Sequence, residues 1–429
     1  MDTITHGIAG ALIGKALFNG DDLFAMRAMS RRRIVAWSAT LGGIFPDADT
    51  FRDMLSHNEL LVITWHRSTT HSLLCLPIWA LLLAALTRWI VRWRKWDAPS
   101  FVALTGIYAV GILSHILMDL ITSFGTMVWS PLDWARPAWD LVFIVDFTFT
   151  GILLVPQILA WVHERPEKSW RRALVSLAIF ILAVFSVQAI GNAVGAPISA
   201  STVFLFDVML AALFLIPLLN NKKSLSRTQK RAQRSDFEEG NSVSENLSAN
   251  VQTNLYRRWN RAGLICGCGY IAVSVFAHHA ALGRVKNFAS LQKLEGTSMG
   301  ALPFPPSLWR WDGLVRTARG VYELRMDLSE KSAFEAAANP AQRVPLEYRF
   351  YPEAYPNVFI EAAKELPAVQ KVLWFARFPV TRFYQQGGDA VVEFCDMRFP
   401  QTRRGHAAPF TYRVRIGPGG NVLEQGWAK

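Results

Sequence analysis

Six apolar blocks, each near the length needed to cross a bilayer, limit this chain more than any other feature. They occupy residues 72–91, 101–121, 141–162, 174–191, 203–219 and 262–282, and about 20 apolar helical residues traverse the hydrocarbon core. Two shorter blocks come first, at 4–18 and 34–45. The earlier one carries Gly10 and Gly14 at a spacing that lets helices pack closely. Their length suits a full span, a half-helix or an interfacial helix. Beyond residue 283 the pattern becomes that of a water-soluble chain. The expected fold is mainly α: a multi-pass helical membrane domain over 1–219, a linker over 220–261, a last transmembrane helix at 262–282, and an extramembrane β-rich (α+β) domain over 283–429.

Basic residues set the expected topology. Arg27 and Arg31 to Arg33 lie between the two short blocks, and Arg88, Arg92, Arg94 and Lys95 close the block at 72–91. Arg165, Lys168, Arg171 and Arg172 precede 174–191, and a further basic cluster follows residue 219. The alternate loops are poor in Lys and Arg: 192–202 has none and 122–140 has only Arg136. The positive-inside rule places the basic loops in the cytoplasm, with the N-terminus and the C-terminal domain outside. This asymmetry accounts for most of the formal charge of +12, so no nucleic-acid partner is expected. The Ser/Asn/Gln-rich stretch 220–254 predicts a disordered cytoplasmic segment. No secretory signal is expected, because an acid stands where a basic leader would begin. Cys75, Cys266 and Cys268 fall in apolar blocks and Cys395 stands alone, which suggests neither disulfides nor a thiolate metal site.

The C-terminal region alternates apolar and polar residues with a period of two. "GVYELRMDL", "LEYRFYP", "KVLWFARFPVTRFY" and "AVVEFCDMRFP" read as strands, and the sequence around Gly417–Gly420 reads as a hairpin.

Within the membrane half, ionisable residues are costly: a carboxylate in lipid is worth about 3 kcal/mol or more. They nevertheless recur in five short stretches: Asp2 and His6; Asp47 and Asp49 in "FPDAD"; His66 and His71 in "HRSTTHS"; His115 and Asp119 in "SHILMD"; and Asp133, Asp140 and Asp146. Each has an ordinary explanation. A lone histidine can donate to a backbone carbonyl, Asp119 can snorkel, "FPDAD" can be a turn, and Ser or Thr in "HRSTTHS" can cap the next helix. Asp140 and Asp146 can be helix-start acids. The topology brings all of these stretches to one depth, near the outer edge of the bilayer. His115 and Asp119, four apart, share a helical face. Imidazoles and carboxylates in this number suit one or two divalent ions such as Zn²⁺, Mn²⁺ or Fe²⁺. Paired ions would serve phosphate-ester hydrolysis, with Arg67 and Arg52 available for phosphate contacts.

"MDTITH", "FPDAD", "HRSTTHS" and "SHILMDLITSFG", in this order and followed by "WDLVFIVDF", resemble the YdjM-like membrane-bound, metal-dependent hydrolases of the bacterial inner membrane. The likeness covers roughly the first 150 residues. Thr3 and Ser68 stand where Pro and Gly are common in that family. The resemblance implies a metal-dependent hydrolase at the inner membrane, distantly like zinc-dependent phospholipases C.

The expected function is cleavage of a phosphate ester, a lipid or lipid-linked substrate, at the outer face of the membrane. His6, Asp47, Asp49, His66, His71, His115 and Asp119 are the candidate metal ligands. Asp49, Asp146 and Arg67 are the candidate catalytic residues, either carboxylate serving as general base or supporting a ligand. Two other classes fit the same residues: a transporter or proton relay using the intramembrane His and Asp, and a non-catalytic scaffold with a structural metal.

Overall fold

The computed structural model describes residues 1–18, 28–56, 58–97, 99–164, 168–194, 203–215, 241–305, 307–329, 347–399 and 409–428. The chain forms two compact units. One holds Met1–Gly14, Phe24–Thr150 and Cys268–Lys429, the other Lys15–Leu23 and Gly151–Gly267. The helices are α1 (Thr3–Leu17), α2 (Ala28–Ile44), α3 (Thr50–Leu55), α4 (Leu61–Thr64), α5 (Leu76–Trp93), α6 (Phe101–Leu120), α7 (Phe147–His163), α8 (Ser169–Val194), α9 (Val203–Leu215) and α10 (Asn241–Leu291). Four of them, α5, α6, α8 and α10, contain segments long and apolar enough to cross a membrane.

In the first unit α6 packs between α2 and α5. Leu104, Tyr108, Ile112 and Ile116 of α6 meet Ala80 and Ala84 of α5 in one buried cluster. Glycine sets the closeness of the other crossings. A Cβ on Gly10 would stand 2.4 Å from the Ala39 carbonyl oxygen, and one on Gly111 would stand 2.9 Å from that same oxygen. Backbones can meet at that range only where no side chain intervenes. The Gly10–Gly14 spacing therefore does pack helices, α1 against α2. In the second unit Leu159, Val162, Ala173, Leu210 and Phe214 form the core.

The apolar block at 141–162 is not helical throughout. α7 starts only at Phe147, because Asp146 Oδ1 accepts the backbone N–H groups of Thr148 (2.9 Å) and Phe149 (3.0 Å) and so caps the helix. Upstream, Leu141 N donates to the Ile121 carbonyl instead. α10 begins at Asn241, within the stretch expected to be unstructured; residues 220–240 of that stretch lie outside the described residues.

The C-terminal region holds two four-stranded antiparallel meanders. β1 (Gly296–Phe304), β2 (Arg310–Thr317), β3 (Gly320–Asp327) and β4 (Tyr348–Pro352) form one; β5 (Pro379–Gln386), β6 (Asp389–Asp396), β7 (Thr411–Ile416) and β8 (Val422–Trp427) form the other. The expected hairpin joins β7 to β8, with Ile416 opposite Val422. Residues 371–375, expected as strand, are instead the end of α12 (Pro367–Phe375), which follows α11 (Val358–Lys364). Pro367 opens that helix, and Val369, Val372 and Phe375 recur at helical spacing on its buried face.

The end of α10 covers the first sheet, with Val285 and Phe288 against Trp311, Val315 and Leu324. The core of the second sheet takes in two residues from the N-terminal half. Ile63 of α4 and Phe124, just past α6, are buried among Val372, Phe375, Val392 and Phe394. This domain is built onto the loops that carry the ionisable residues.

Candidate metal centre

The short 3-10 turn Phe45–Asp49 follows α2 directly, with Pro46 in its first turn and both Asp47 and Asp49 buried. A second 3-10 turn, Thr69–His71, leads toward α5. His115 and Asp119 lie in the last two turns of α6. The sites expected to share one level thus do so, at the end of α5 and α6 opposite the basic residues Arg88, Arg92, Arg94 and Lys95.

Four of these side chains converge. Asp47, His71, His115 and Asp119 are all buried, and each offers one atom within 4.8 Å of the others. His71 Nε2 stands 3.0 Å from His115 Nε2. Asp119 Oδ2 is 3.3 Å from His71 Nε2 and 3.4 Å from His115 Nε2. Asp47 Oδ1 is 3.5 Å from His115 Nε2 and 3.7 Å from His71 Nε2. Four donors about 2.0–2.1 Å from a tetrahedral ion stand about 3.3 Å from one another. The His–His and His–Asp separations, 3.0–3.7 Å, lie around that value.

What each ligand does with its other polar atom supports the same reading. His115 Nδ1 donates to the Gly43 carbonyl at 2.6 Å, within reach because α2 and α6 cross so closely at Gly42 and Gly111. His71 Nδ1 faces Asp49 Oδ2 at 3.4 Å and Thr70 Oγ1 at 3.0 Å. Asp47 Oδ2 accepts from the Thr3 hydroxyl at 2.5 Å. Asp119 Oδ1 takes the Arg67 guanidinium at 2.9 Å, His6 Nε2 at 3.1 Å and the Met1 amino group. Asp119 Oδ2 is left buried with no hydrogen-bond partner. A buried carboxylate oxygen without a donor is expensive, and a cation among these four atoms would satisfy it. Outer partners that orient the inner atoms are the usual company of metal ligands.

Burial disfavours charge on Asp47, yet hydrogen bonding to His115 and His71 holds its carboxyl well below the usual carboxylate range. Asp49 behaves likewise: burial opposes its ionisation, and His66 and His71 outweigh it. For His71, burial disfavours the imidazolium, but Asp119, Asp47 and Asp49 push it up to about 10. The carboxylates are thus held ionised among buried cations, and a metal ion would have to displace the His71 proton to bind.

The remaining candidates surround this set. His6 stacks on His115, ring centres 3.6 Å apart, and approaches Asp119 by its outer oxygen only. Asp49 holds three neighbours of the quartet: His66 Nδ1 at 2.9 Å, the Arg67 backbone N–H at 3.0 Å and the Thr70 hydroxyl at 3.0 Å. Arg67 has φ +63, so the left-handed residue of "HRSTTHS" is Arg67 itself and Ser68 needs no glycine. The Arg67 guanidinium is buried on Asp119 and Thr122, and Arg52 stacks on Trp65. Asp146 stands apart: besides its helix cap, it accepts the Tyr270 hydroxyl at 2.7 Å. Asp140, at φ +54, forms a two-pronged ion pair with Arg377 at 2.9 and 2.8 Å.

Residues 1–193 match the model of the YdjM inner membrane protein family. Neither a curated protein nor a solved structure is similar enough to match the chain. With its spanning helices, the chain is a multi-pass protein of inner-membrane type that carries a buried His/Asp cluster able to hold a metal ion.

Proposed function

We propose that this protein is a zinc-dependent hydrolase of phosphate esters, acting on a lipid or lipid-linked substrate at the outer surface of the membrane. The observation that carries the reading is the quartet itself: four inward atoms within 4.8 Å of one another, with each ligand's outer atom held by another group. Asp47, His71, His115 and Asp119 would hold the ion, Mn²⁺ or Fe²⁺ being the alternatives to Zn²⁺. A divalent ion there supplies Lewis acidity, activating water and polarising a phosphoryl oxygen.

The chain's own residues have distinct tasks. Asp49 orients His66 and His71 together. His66, whose side chain is 15% exposed where His71 is fully buried, is the group placed to move a proton at its Nε2. Asp47 is also partly exposed, at 10%, and substrate would enter past these two. Arg67 neutralises the outer oxygen of Asp119 and keeps the inner one free.

Depth supports a lipid substrate. Trp129, Trp134 and Trp139, between α6 and α7, are exposed at the end that carries the quartet; Trp89, Trp93 and Trp96 are exposed at the other end of α5. Tryptophan collects at membrane–water interfaces. The 18 residues of α5 rise about 27 Å, close to the roughly 30 Å hydrocarbon core. The quartet then lies within two helical turns of the headgroups.

One observation favours a structural metal instead: four protein ligands can close a tetrahedral site, whereas catalytic zinc usually keeps one position open. Metal analysis of detergent-purified protein, followed by phosphate release from lipid phosphomonoesters and diesters, separates these readings. One equivalent of metal with turnover that is lost in His66→Ala supports the hydrolase. Stoichiometric metal with no turnover on any phosphate ester supports the structural site, and protein that takes up no divalent metal overturns both.

A further inference from the structure

A continuous stack of arginines and aromatic rings links the quartet to the C-terminal domain. Arg67, which holds Asp119 Oδ1, has its guanidinium carbon 5.0 Å from the centre of the Phe124 ring. Arg136 shares that ring at 4.9 Å and lies 5.2 Å from the Phe375 ring. Arg398 lies 4.5 Å from Phe375 and 5.2 Å from Phe399. At its far end Arg398 is paired with Asp396, through Nε at 2.8 Å and Nη2 at 2.7 Å.

The same arginines grip the loops that carry the ligands. Arg398 donates to the carbonyls of Ser123 and Phe124, just past Asp119, and to that of Phe375. Arg136 donates to the carbonyls of Ile63, His66 and Gly125. Among the described residues, no carboxylate forms an ion pair with Arg136, and its Nε is buried without a partner. Three guanidinium groups gathered around two rings repel one another. Burying a charge with no counter-ion costs several kcal/mol, so this arrangement does not serve stability best. Aromatic faces attract each cation, and the carbonyls fix its plane.

The consequence falls on Asp119. Its carboxylate can serve the quartet only if Oδ1 is occupied and Oδ2 turned inward, and Arg67 is the group that occupies Oδ1 from the side of the stack. We infer that the C-terminal domain is a positioning element of the metal centre: Arg398 and Phe375, through Arg136 and Phe124, fix the Arg67 guanidinium and hence the Asp119 oxygen presented to the ion. This rests on the metal reading above. It makes the β domain part of the site and not an appended module.

The test is a double-mutant cycle on Zn²⁺ affinity, measured by chelator competition on the full chain in detergent, with thermal unfolding as the folding control. Arg67→Lys and Arg398→Lys should each weaken Zn²⁺ binding about tenfold or more, the usual effect of losing an outer partner. The double variant should lose no more than the worse single one, because both act through one chain of contacts. Phe375→Leu should weaken binding similarly, and it replaces Arg398→Lys if that variant does not fold. Arg415→Lys, on β7 and paired with Asp389, should bind as the wild type does. Strictly additive losses, or wild-type affinity in a folded Arg398→Lys or Phe375→Leu, overturn the inference and leave the metal reading standing. A wild type that binds no divalent cation overturns both.

Discussion

His71 Nε2 and His115 Nε2 face each other at 3.0 Å. His115 donates through Nδ1 to Gly43, so in its neutral form its Nε2 is a bare lone pair, and only a proton or a metal ion can sit between the two rings. A ligand that binds the folded state alone stabilises it by about 2.7 kcal/mol at a hundred times its dissociation constant. Zn²⁺ at that excess should therefore raise the unfolding temperature of the wild type. The rise should vanish in His115→Ala, whose metal content should fall from one equivalent to none. An equal rise in both proteins would show that zinc binds elsewhere.

Asp49 and Asp119 differ in role although both are buried carboxylates in the same network. Asp119 presents a free oxygen to the quartet, while the oxygens of Asp49 are engaged by His66, Arg67, Thr70 and His71. Asp49→Asn should accordingly weaken metal binding about 10–100-fold without abolishing it, whereas Asp119→Asn should remove it. Isothermal titration of the two variants decides the point, and equal losses would make Asp49 a direct ligand.

Two glycines on α6 should respond oppositely to the same substitution. A methyl group on Gly111 would press on the Ala39 carbonyl and on Gly42, whereas one on Gly106 would meet nothing within 4 Å. Gly111→Ala should destabilise by about 1–3 kcal/mol through overpacking and, by separating α2 from α6, weaken the His115–Gly43 bond and metal binding with it. Gly106→Ala should be neutral or stabilising by about 0.5–1 kcal/mol, as alanine is the better helix former. Chemical denaturation and metal affinity of the two variants test this together.

All members of the quartet are legible in the sequence, because His and Asp at the ends of apolar blocks are too costly to be incidental. Their ranking is not. The i, i+4 spacing of His115 and Asp119 gives a shared face but not which nitrogen or oxygen turns inward; Gly43, Thr3 and Arg67 decide that, and they come from other elements. Asp146 is the helix-start acid that its place before "FTFT" allows: it lies in an apolar run and caps α7. Arg136 and Arg398 carry no signal at all. One sits in a loop and the other just past a strand, and only docking of the second sheet on Ile63 and Phe124 brings them to the site.

A last prediction concerns the first sheet. Asp312 on β2 faces Glu323 and Arg325 on β3, with Arg325 3.9 Å from Asp312 and 4.0 Å from Glu323; Glu323 also accepts the Tyr351 hydroxyl at 2.7 Å. Burial and the Glu323 charge push the Asp312 carboxyl up to about 6, Arg325 opposing them. An unfolded Asp titrates near 4, so between about pH 4 and pH 6 the folded chain holds a proton that the unfolded chain has released. Folding stability should therefore fall as pH rises through this window, by no more than roughly 3 kcal/mol. Asp312→Asn keeps the shape without the charge and should flatten that part of the profile. It should also be the more stable protein at pH 7. Denaturation between pH 4 and pH 7 provides the measurement, and a wild type whose stability climbs across the window as steeply as the variant's would show that Asp312 is ionised throughout.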